Sequence, residues 1–346
     1  MGKKSKKSSH ISHIIRIAIA AAAFLYFVVK NNPKGIIKDF GNLDILVFLV
    51  ALGFYVAGNF VFVLRWLMLL RAQHITINYL PALKLHFLGL FYNNCLPGSV
   101  GGDALRAWYV TVHTDKKIEA ALSVFVDRAV GMVCTLAMAF LAYWLMPAGE
   151  SEGQILRRMG NVFVLLTIKL LLGIFVLVVL AAIVLAIMYK TRKLRPMLLK
   201  YTFIFALKWK IWVGRITTAI KLYCSKPFTL LLVIILSFIC QAMPIYGLYL
   251  VGKNLGIEAH IKYYYIFFPL SWIIGAIPIS VGGVGVIEFS IQGMFKIIGV
   301  SDKIPTLALA QRLTWILTSI PGVIIHLTGK HLPDKKEIEE EIKAPI

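Results

Sequence analysis

Long apolar runs separated by short polar or basic stretches dominate the chain. Several runs reach 18 residues or more, the length expected of a helix that crosses a bilayer. Six runs are interpreted as full spans, at residues 14–29, 43–64, 119–146, 162–188, 228–251 and 304–328. A soluble core does not need uninterrupted apolar runs of this length. The pattern therefore predicts an all-α polytopic membrane protein.

Two further segments break this pattern, because each consists of two short apolar arms around a turn rich in Pro and Gly. The arms cover residues 79–93, 103–115, 263–277 and 286–299. A 15-residue helix is only about 22 Å long, which is shorter than the ~30 Å hydrocarbon core. We therefore predict two re-entrant hairpins, near 79–115 and 263–299, with tips covered by protein or water. The alternative is that these segments cross fully, which gives eight or more spans.

The two turns share a sequence. Both contain the pattern P-x-S-V-G-G, which begins at Pro97 in one segment and at Pro278 in the other. Phe87 and Phe268 are related by the same offset. These matches predict an internal duplication. The placement of Lys and Arg gives the two halves opposite orientations, so we expect two inverted repeats.

The chain is strongly basic, with 37 Lys and Arg against 16 Asp and Glu and a formal net charge of +21. In a membrane protein this excess indicates cytoplasmic loops and contact with anionic membrane lipids rather than with nucleic acid. We expect both termini to be cytoplasmic and the protein to lie in the cell (inner or cytoplasmic) membrane. The predicted parts are a basic tail (1–13), a first membrane half (14–188), a basic linker (189–227), a second membrane half (228–329) and a charged tail (330–346).

The predicted turns place helix N-termini and small polar residues at the two tips. A helix N-terminus presents unpaired backbone N–H groups and the positive end of the helix dipole, which favours phosphate or carboxylate. Two such ends that face each other would form an anion site. The alternative is that the glycines only permit a tight turn and close packing. The candidate residues are Asn93, Asn94, Ser99, Gly101, Gly102, Ser280, Gly282 and Gly283.

Charged residues inside the predicted spans are a second set of candidates, because charge in a bilayer is costly and usually functional. Asp127 and Arg128 lie in the third span, and Gln311 and Arg312 lie at a similar depth in the sixth. An arginine from each half could bind a lipid phosphate. The alternative is an internal ion pair in which Asp127 or Glu288 binds Arg128 or Arg312.

Three of the charged residues on the second arms of the hairpins are further candidates. Asp103 could cap its helix, and Arg106, one turn later, could reach Asp103 or an anion. Glu288 is the residue least easily explained by capping, and it could carry a proton or pair with an arginine. No protease, thiol, hydrolase or nucleotide-binding motif is present, so we predict no catalytic residue, metal site or cofactor.

Four motifs together resemble a known family. They are Arg65-Trp66, the Asn93–Arg106 stretch, Asp127-Arg128, and the stretch from Pro278 to Glu288. The set resembles the transmembrane region of lysyl-phosphatidylglycerol synthases, a region that also occurs alone in flippase-like membrane proteins. The resemblance covers about residues 11–330. One departure is Asp127, where the family favours Glu, which leaves a proton-coupling role there open.

The resemblance implies a lipid flippase, because the membrane region of the two-domain synthases is assigned the flipping of the aminoacylated lipid. A separate soluble domain makes that lipid, and only sixteen residues follow Lys330 here, so lysyltransferase activity is not expected. We predict a flippase for a phosphate-headed lipid, whether a phospholipid, a glycolipid or a polyprenyl-phosphate carrier. The alternatives are a membrane-embedded transferase with Asp103 or Glu288 as base, and a small-anion channel or exchanger.

Overall fold

The structure, a computed structural model, describes residues 21–95, 101–112, 114, 117–145, 225–277, 280–300 and 302–328. Its helices are α1 (Ala21–Lys30), α2 (Pro33–Asn42), α3 (Ile45–Ala72), α4 (Tyr79–Cys95), α5 (Gly101–Val112), α6 (Lys117–Leu145), α7 (Pro227–Asn254), α8 (Ile261–Gly275), α9 (Val286–Ile297) and α10 (Ile304–Thr328). Predicted features that lie outside the described residues are both tails, residues 14–20 of the first span, the span at 162–188 and the linker up to residue 224.

Within the described part of the chain, four helices are long and apolar enough to cross a membrane: α3, α6, α7 and α10. They coincide with four of the predicted spans, and the prediction of an all-α polytopic membrane protein is confirmed. The main difference is the end of α3, which continues to Ala72 instead of stopping at residue 64. Its extra turns carry Arg65 and Trp66, which are buried in the protein at 2% and 0% exposure.

The helices of the two halves follow the same order, because α3 to α6 and α7 to α10 each run long, short, short, long. Each short pair packs against the other half, with α4 on α10 and α8 on α6. The equivalent helices α3 and α7 also pack together. The Asp44 N–H donates to Asn254 Oδ1 at one end, and Lys226 Nζ donates to the Ala72 carbonyl at the other. The two helices are therefore antiparallel, so the two halves are inverted.

The two short pairs are hairpins of closely packed helices. A Cβ atom at Gly102 of α5 would lie 2.1 Å from the carbonyl oxygen of Gly89 in α4. The turn between α8 and α9 instead needs glycine for its backbone, since Gly282 and Gly283 have φ of 57° and 67°. The hairpins meet there, because a Cβ atom at Gly282 would lie 3.3 Å from the Asn93 carbonyl oxygen. That they are re-entrant stays a prediction.

Candidate functional site

A cavity of about 340 Å³ lies where the hairpins meet the long helices α3, α6, α7 and α10. This volume is at the lower end of the range for ligand pockets, about 300–1,000 Å³, so the cavity suits a head group better than a whole lipid. The first half lines one side with charged and polar residues of α3 to α6. The second half contributes an aromatic and apolar wall that includes Trp272, Ile273, Ala276, Ile287 and Trp315.

Five charged side chains among the described residues line the cavity, all from the first half. They are Arg65, Asp103, Arg106, Asp127 and Arg128. Arg65 Nε donates to Asp127 Oδ1 at 2.9 Å, which joins α3 to α6. Asp103 of α5 pairs with both Arg106 and Arg128, which joins α5 to α6. Among the described lining residues, three guanidinium groups thus face two carboxylates.

Arg106 is a buried arginine of this cluster with a side-chain nitrogen that is unpaired among the described residues. Its side chain is 3% exposed, and its guanidinium lies 5.1 Å from the ring centres of both Phe62 and Trp66. Its Nη1 atom has no hydrogen-bond partner within the part of the chain that the structure describes. A buried donor without an acceptor is unfavourable. An anion in the cavity would supply that acceptor.

The second half reaches the charged cluster through α7. Ser237 lies 3.2 Å from Arg65 Nη1, and Gln241 Nε2 donates to the Gly131 carbonyl of α6 at 3.3 Å. The Gln241 side chain also binds Thr135. These hydrogen bonds from α7 therefore hold Arg65 and the middle of α6 in position, where the two halves meet.

A neutral pair, Asn59 and His86, completes the polar side of the cavity. Asn59 Nδ2 donates to the Tyr55 carbonyl at 2.8 Å, which leaves its Oδ1 atom to accept from His86 Nε2, also at 2.8 Å. The His86 ring stacks on Phe62 with centres 4.7 Å apart. These residues were missed in the sequence, because a single histidine in an apolar helix usually packs without a ligand role.

The structure describes most of the candidate residues at the first tip. Asn93 and Asn94 line the cavity. Gly101 and Gly102 are the first residues of α5 rather than the turn before it, and Asn93 Oδ1 accepts from the Gly102 N–H at 2.8 Å. That N–H is therefore already engaged. Asp103 pairs with Arg106 and Arg128, and Ser99 lies outside the described residues.

In the second half, Glu288 and Arg312 form a buried pair. Arg312 Nε donates to Glu288 Oε1 at 2.6 Å, and its Nη1 donates to the Gly282 carbonyl at 2.9 Å. Glu288 Oε2 also accepts from the Gly285 N–H at 2.8 Å. The interpretation of Glu288 as poorly explained by capping was wrong, because its carboxylate caps α9. The alternative prediction, that Glu288 pairs with an arginine, agrees with this contact.

The candidates of the second half build the turn more than they line the cavity. Only Gly282 among them is a lining residue. Gly283 packs against the side chain of Ile287. Ser280 and Gln311 are buried at 3% and 2% exposure, and their side-chain oxygens have no hydrogen-bond partner among the described residues.

Arg65 is the main charged residue that was not selected from the sequence. Arg and Lys accumulate at the inner membrane face, so an arginine at the end of a predicted span does not by itself indicate a buried site. Asp127, the partner of Arg65, is 62 residues away, and no helical spacing connects them. The signal available was that Arg65-Trp66 belongs to the motif set that resembles a known family.

Comparison with known proteins supports a family assignment. A search of curated proteins found no match. The model of the family described as the lysylphosphatidylglycerol synthase TM region matches residues 13–322. The match includes both halves, both hairpins and all five charged residues of the cavity. The chain therefore belongs to the lysylphosphatidylglycerol synthase TM region family.

Proposed function

We propose that the protein is a flippase of the cell (inner or cytoplasmic) membrane, which moves a phosphate-headed lipid between the two leaflets. The family is named for the synthesis of a membrane lipid, which supports a lipid-related function. The excess of Lys and Arg supports contact with anionic membrane lipids and a cytoplasmic location for both termini.

The observation that carries this proposal is the contrast between the two walls of the cavity. Arg106 offers a buried guanidinium on one side, while Trp272 and Ile273 offer an aromatic and apolar surface on the other. A lipid has both parts, a phosphate for the guanidinium and a hydrocarbon region for the apolar wall. A small inorganic anion would use only the first wall, so the contrast favours a lipid over an anion channel.

The opening of the cavity supports the same conclusion. Arg128 and Met132 line the cavity, yet the Arg128 side chain is 42% exposed and Met132 is 50% exposed. Phe125, Val133 and Leu136 are exposed beside them on α6. A head group could therefore enter between apolar side chains while its acyl chains stay in the bilayer.

The inverted halves supply a basis for movement. In transporters built from inverted repeats, the site lies between the repeats and becomes accessible to each side in turn. The cavity here is lined by both halves, and Arg65, Asp127 and Ser237 connect them. Transport needs no chemical step. The carboxylates considered as a base for a transferase, Asp103 and Glu288, are both held by arginines.

The test is leaflet exchange in vesicles that contain the purified protein and a fluorescent phospholipid. The wild-type protein is expected to accelerate exchange of the label. Arg106→Ala should slow this exchange by roughly 10- to 100-fold, the effect of losing one hydrogen-bonded charge. Arg106→Lys should retain part of the rate, because a lysine keeps the charge but not the planar donor pair.

The control is Lys34→Ala, which removes an exposed charge on α2 outside the cavity. Only variants with the unfolding temperature of the wild type are compared, so that a folding defect is not mistaken for lost transport. Flux of chloride or phosphate without lipid exchange would support a channel instead. A new covalent lipid product detected by mass spectrometry would support a transferase. Unchanged exchange in a folded Arg106→Ala variant would remove the cluster from the mechanism.

A further inference from the structure

The cavity contains polar groups that the arginine cluster does not use. Asn94 lines it, and the Asn94 side chain has no hydrogen bond with any described residue. The indole N–H groups of Trp272 and Trp315 are buried and have no hydrogen-bond acceptor among the described residues. The Asp127 Oδ2 atom is buried and accepts no hydrogen bond from a described residue. These groups can each form a further hydrogen bond with a ligand.

The open groups on the second-half side of the cavity are neutral, and the carboxylates are already engaged. Asp103 is bound by Arg106 and Arg128, and Asp127 is bound by Arg65 and lies 3.8 Å from Arg106 Nη2. An ammonium group would therefore have to share a carboxylate with an arginine. In a site shielded from water, an added positive charge beside these guanidinium groups is unfavourable.

We propose that the transported lipid carries a neutral, hydroxylated head group beyond its phosphate, such as glycerol or a sugar, and a single net negative charge. This inference rests on the proposed transport function. A hydroxyl both donates and accepts, so it can give a hydrogen to Asp127 Oδ2 or Asn94 and accept one from Trp272 or Trp315. The phosphate binds the open donor of Arg106.

Other head groups match the cavity less well. A lipid with a bare phosphate leaves Asn94 and the two indole N–H groups without partners, and buried polar groups discriminate against a ligand that cannot satisfy them. A lipid with an ethanolamine or an aminoacyl group brings a cation that would have to share Asp103 or Asp127 with an arginine. The volume of about 340 Å³ is sufficient for a phosphate with one small polyol while the acyl chains remain outside.

The experiment compares leaflet exchange of five labelled lipids in vesicles that contain the full chain. The head groups are glycerol, a phosphate-linked hexose, bare phosphate, ethanolamine and lysyl-glycerol. The lipids with glycerol or hexose are expected to exchange about tenfold faster than the others, a ratio that one or two hydrogen bonds supply. The exchange rates of the glycerol lipid and the hexose lipid, compared with each other, show which of these two head groups is preferred.

Asn94→Leu removes the amide while keeping the approximate size of the side chain. It is expected to reduce the preference for glycerol over ethanolamine to about twofold or less, because the amide hydrogen bonds to the hydroxyls are lost. Asn42→Leu, an exposed position outside the cavity, should keep the wild-type preference.

The outcomes separate this inference from the transport function. Equal exchange of all five lipids would overturn the head-group proposal and leave transport intact. Faster exchange of the ethanolamine or lysylated lipid would overturn it as well. If no lipid exchanges faster than in protein-free vesicles, the transport function itself is wrong.

Discussion

Replacement of Asp127 by Ala is expected to lower the stability of the protein by about 3–5 kcal/mol, since removal of one member of a buried ion pair leaves the other charge uncompensated. Asp127 is 0% exposed, and its partner Arg65 is 2% exposed. Their contact joins α3 to α6 at the position where Ser237 of α7 also binds Arg65. The measurement is the free energy of unfolding, or the unfolding temperature, of the purified protein in detergent.

A double replacement separates the contribution of the two charges to stability from the contribution of side-chain packing. Arg65→Met combined with Asp127→Leu removes both charges and keeps similar volume, and such replacements are often neutral or stabilising. The double variant is therefore expected to recover most of the stability lost in Asp127→Ala, which a double-mutant cycle would quantify. Wild-type stability of Asp127→Ala would show that the pair does not hold the three helices together.

The helices could be predicted well because their signals are local. Apolar length and Gly or Pro breaks occur within single segments, and the observed ends of α6, α7 and α10 lie within three residues of the predicted spans. The inversion of the halves could also be inferred, because the placement of Lys and Arg and the short hairpin arms indicated opposite orientations, while the shared P-x-S-V-G-G pattern indicated the duplication. The predicted end of α3 was wrong, because the sequence does not distinguish an arginine buried in the protein from an arginine at the membrane surface.

The site was harder to predict because its contacts connect distant segments. The pair Glu288 and Arg312 was among the alternatives, since both residues are charged within one predicted half. Arg65 and Asp127 meet across 62 residues. The contact of Asp103 with Arg106 was expected from their spacing, but its second partner, Arg128, lies 25 residues away. Helix N-termini suggested glycines as the anion site, but at Gly102 a nearby asparagine engages the backbone N–H. The charged donors that line the cavity are instead arginine side chains.

The order of helices is repeated in the two halves, but the charged residues of the cavity are not. Gln311 precedes Arg312 in α10 as Asp127 precedes Arg128 in α6. At the offset between the starts of α3 and α7, Gly247 corresponds to Arg65, and Gly247 packs directly on the backbone of Ala51. Both members of the buried ion pair thus lack a charged counterpart in the second half. This explains why one wall of the cavity is charged and the other is aromatic.

The second large effect is expected from Gly322→Ala in α10. A Cβ atom there would lie 2.1 Å from the carbonyl oxygen of Phe87 and 2.9 Å from Phe91 Cβ, both in α4. Because the obstacle is helix backbone, it cannot be relieved by a side-chain rotation, and α4 must move away from α10. Overpacking of this kind typically costs about 1–3 kcal/mol.

Gly53→Ala is the matched control, because Gly53 lies inside α3 and an added Cβ atom would meet nothing within 4 Å. In an open helical position, alanine is expected to be more stable than glycine by about 0.5–1 kcal/mol. The two variants should therefore shift the unfolding temperature in opposite directions when they are measured in the same detergent. A rise for both would mean that α4 and α10 do not approach each other this closely, and the packing of the first hairpin against the second half would have to be revised.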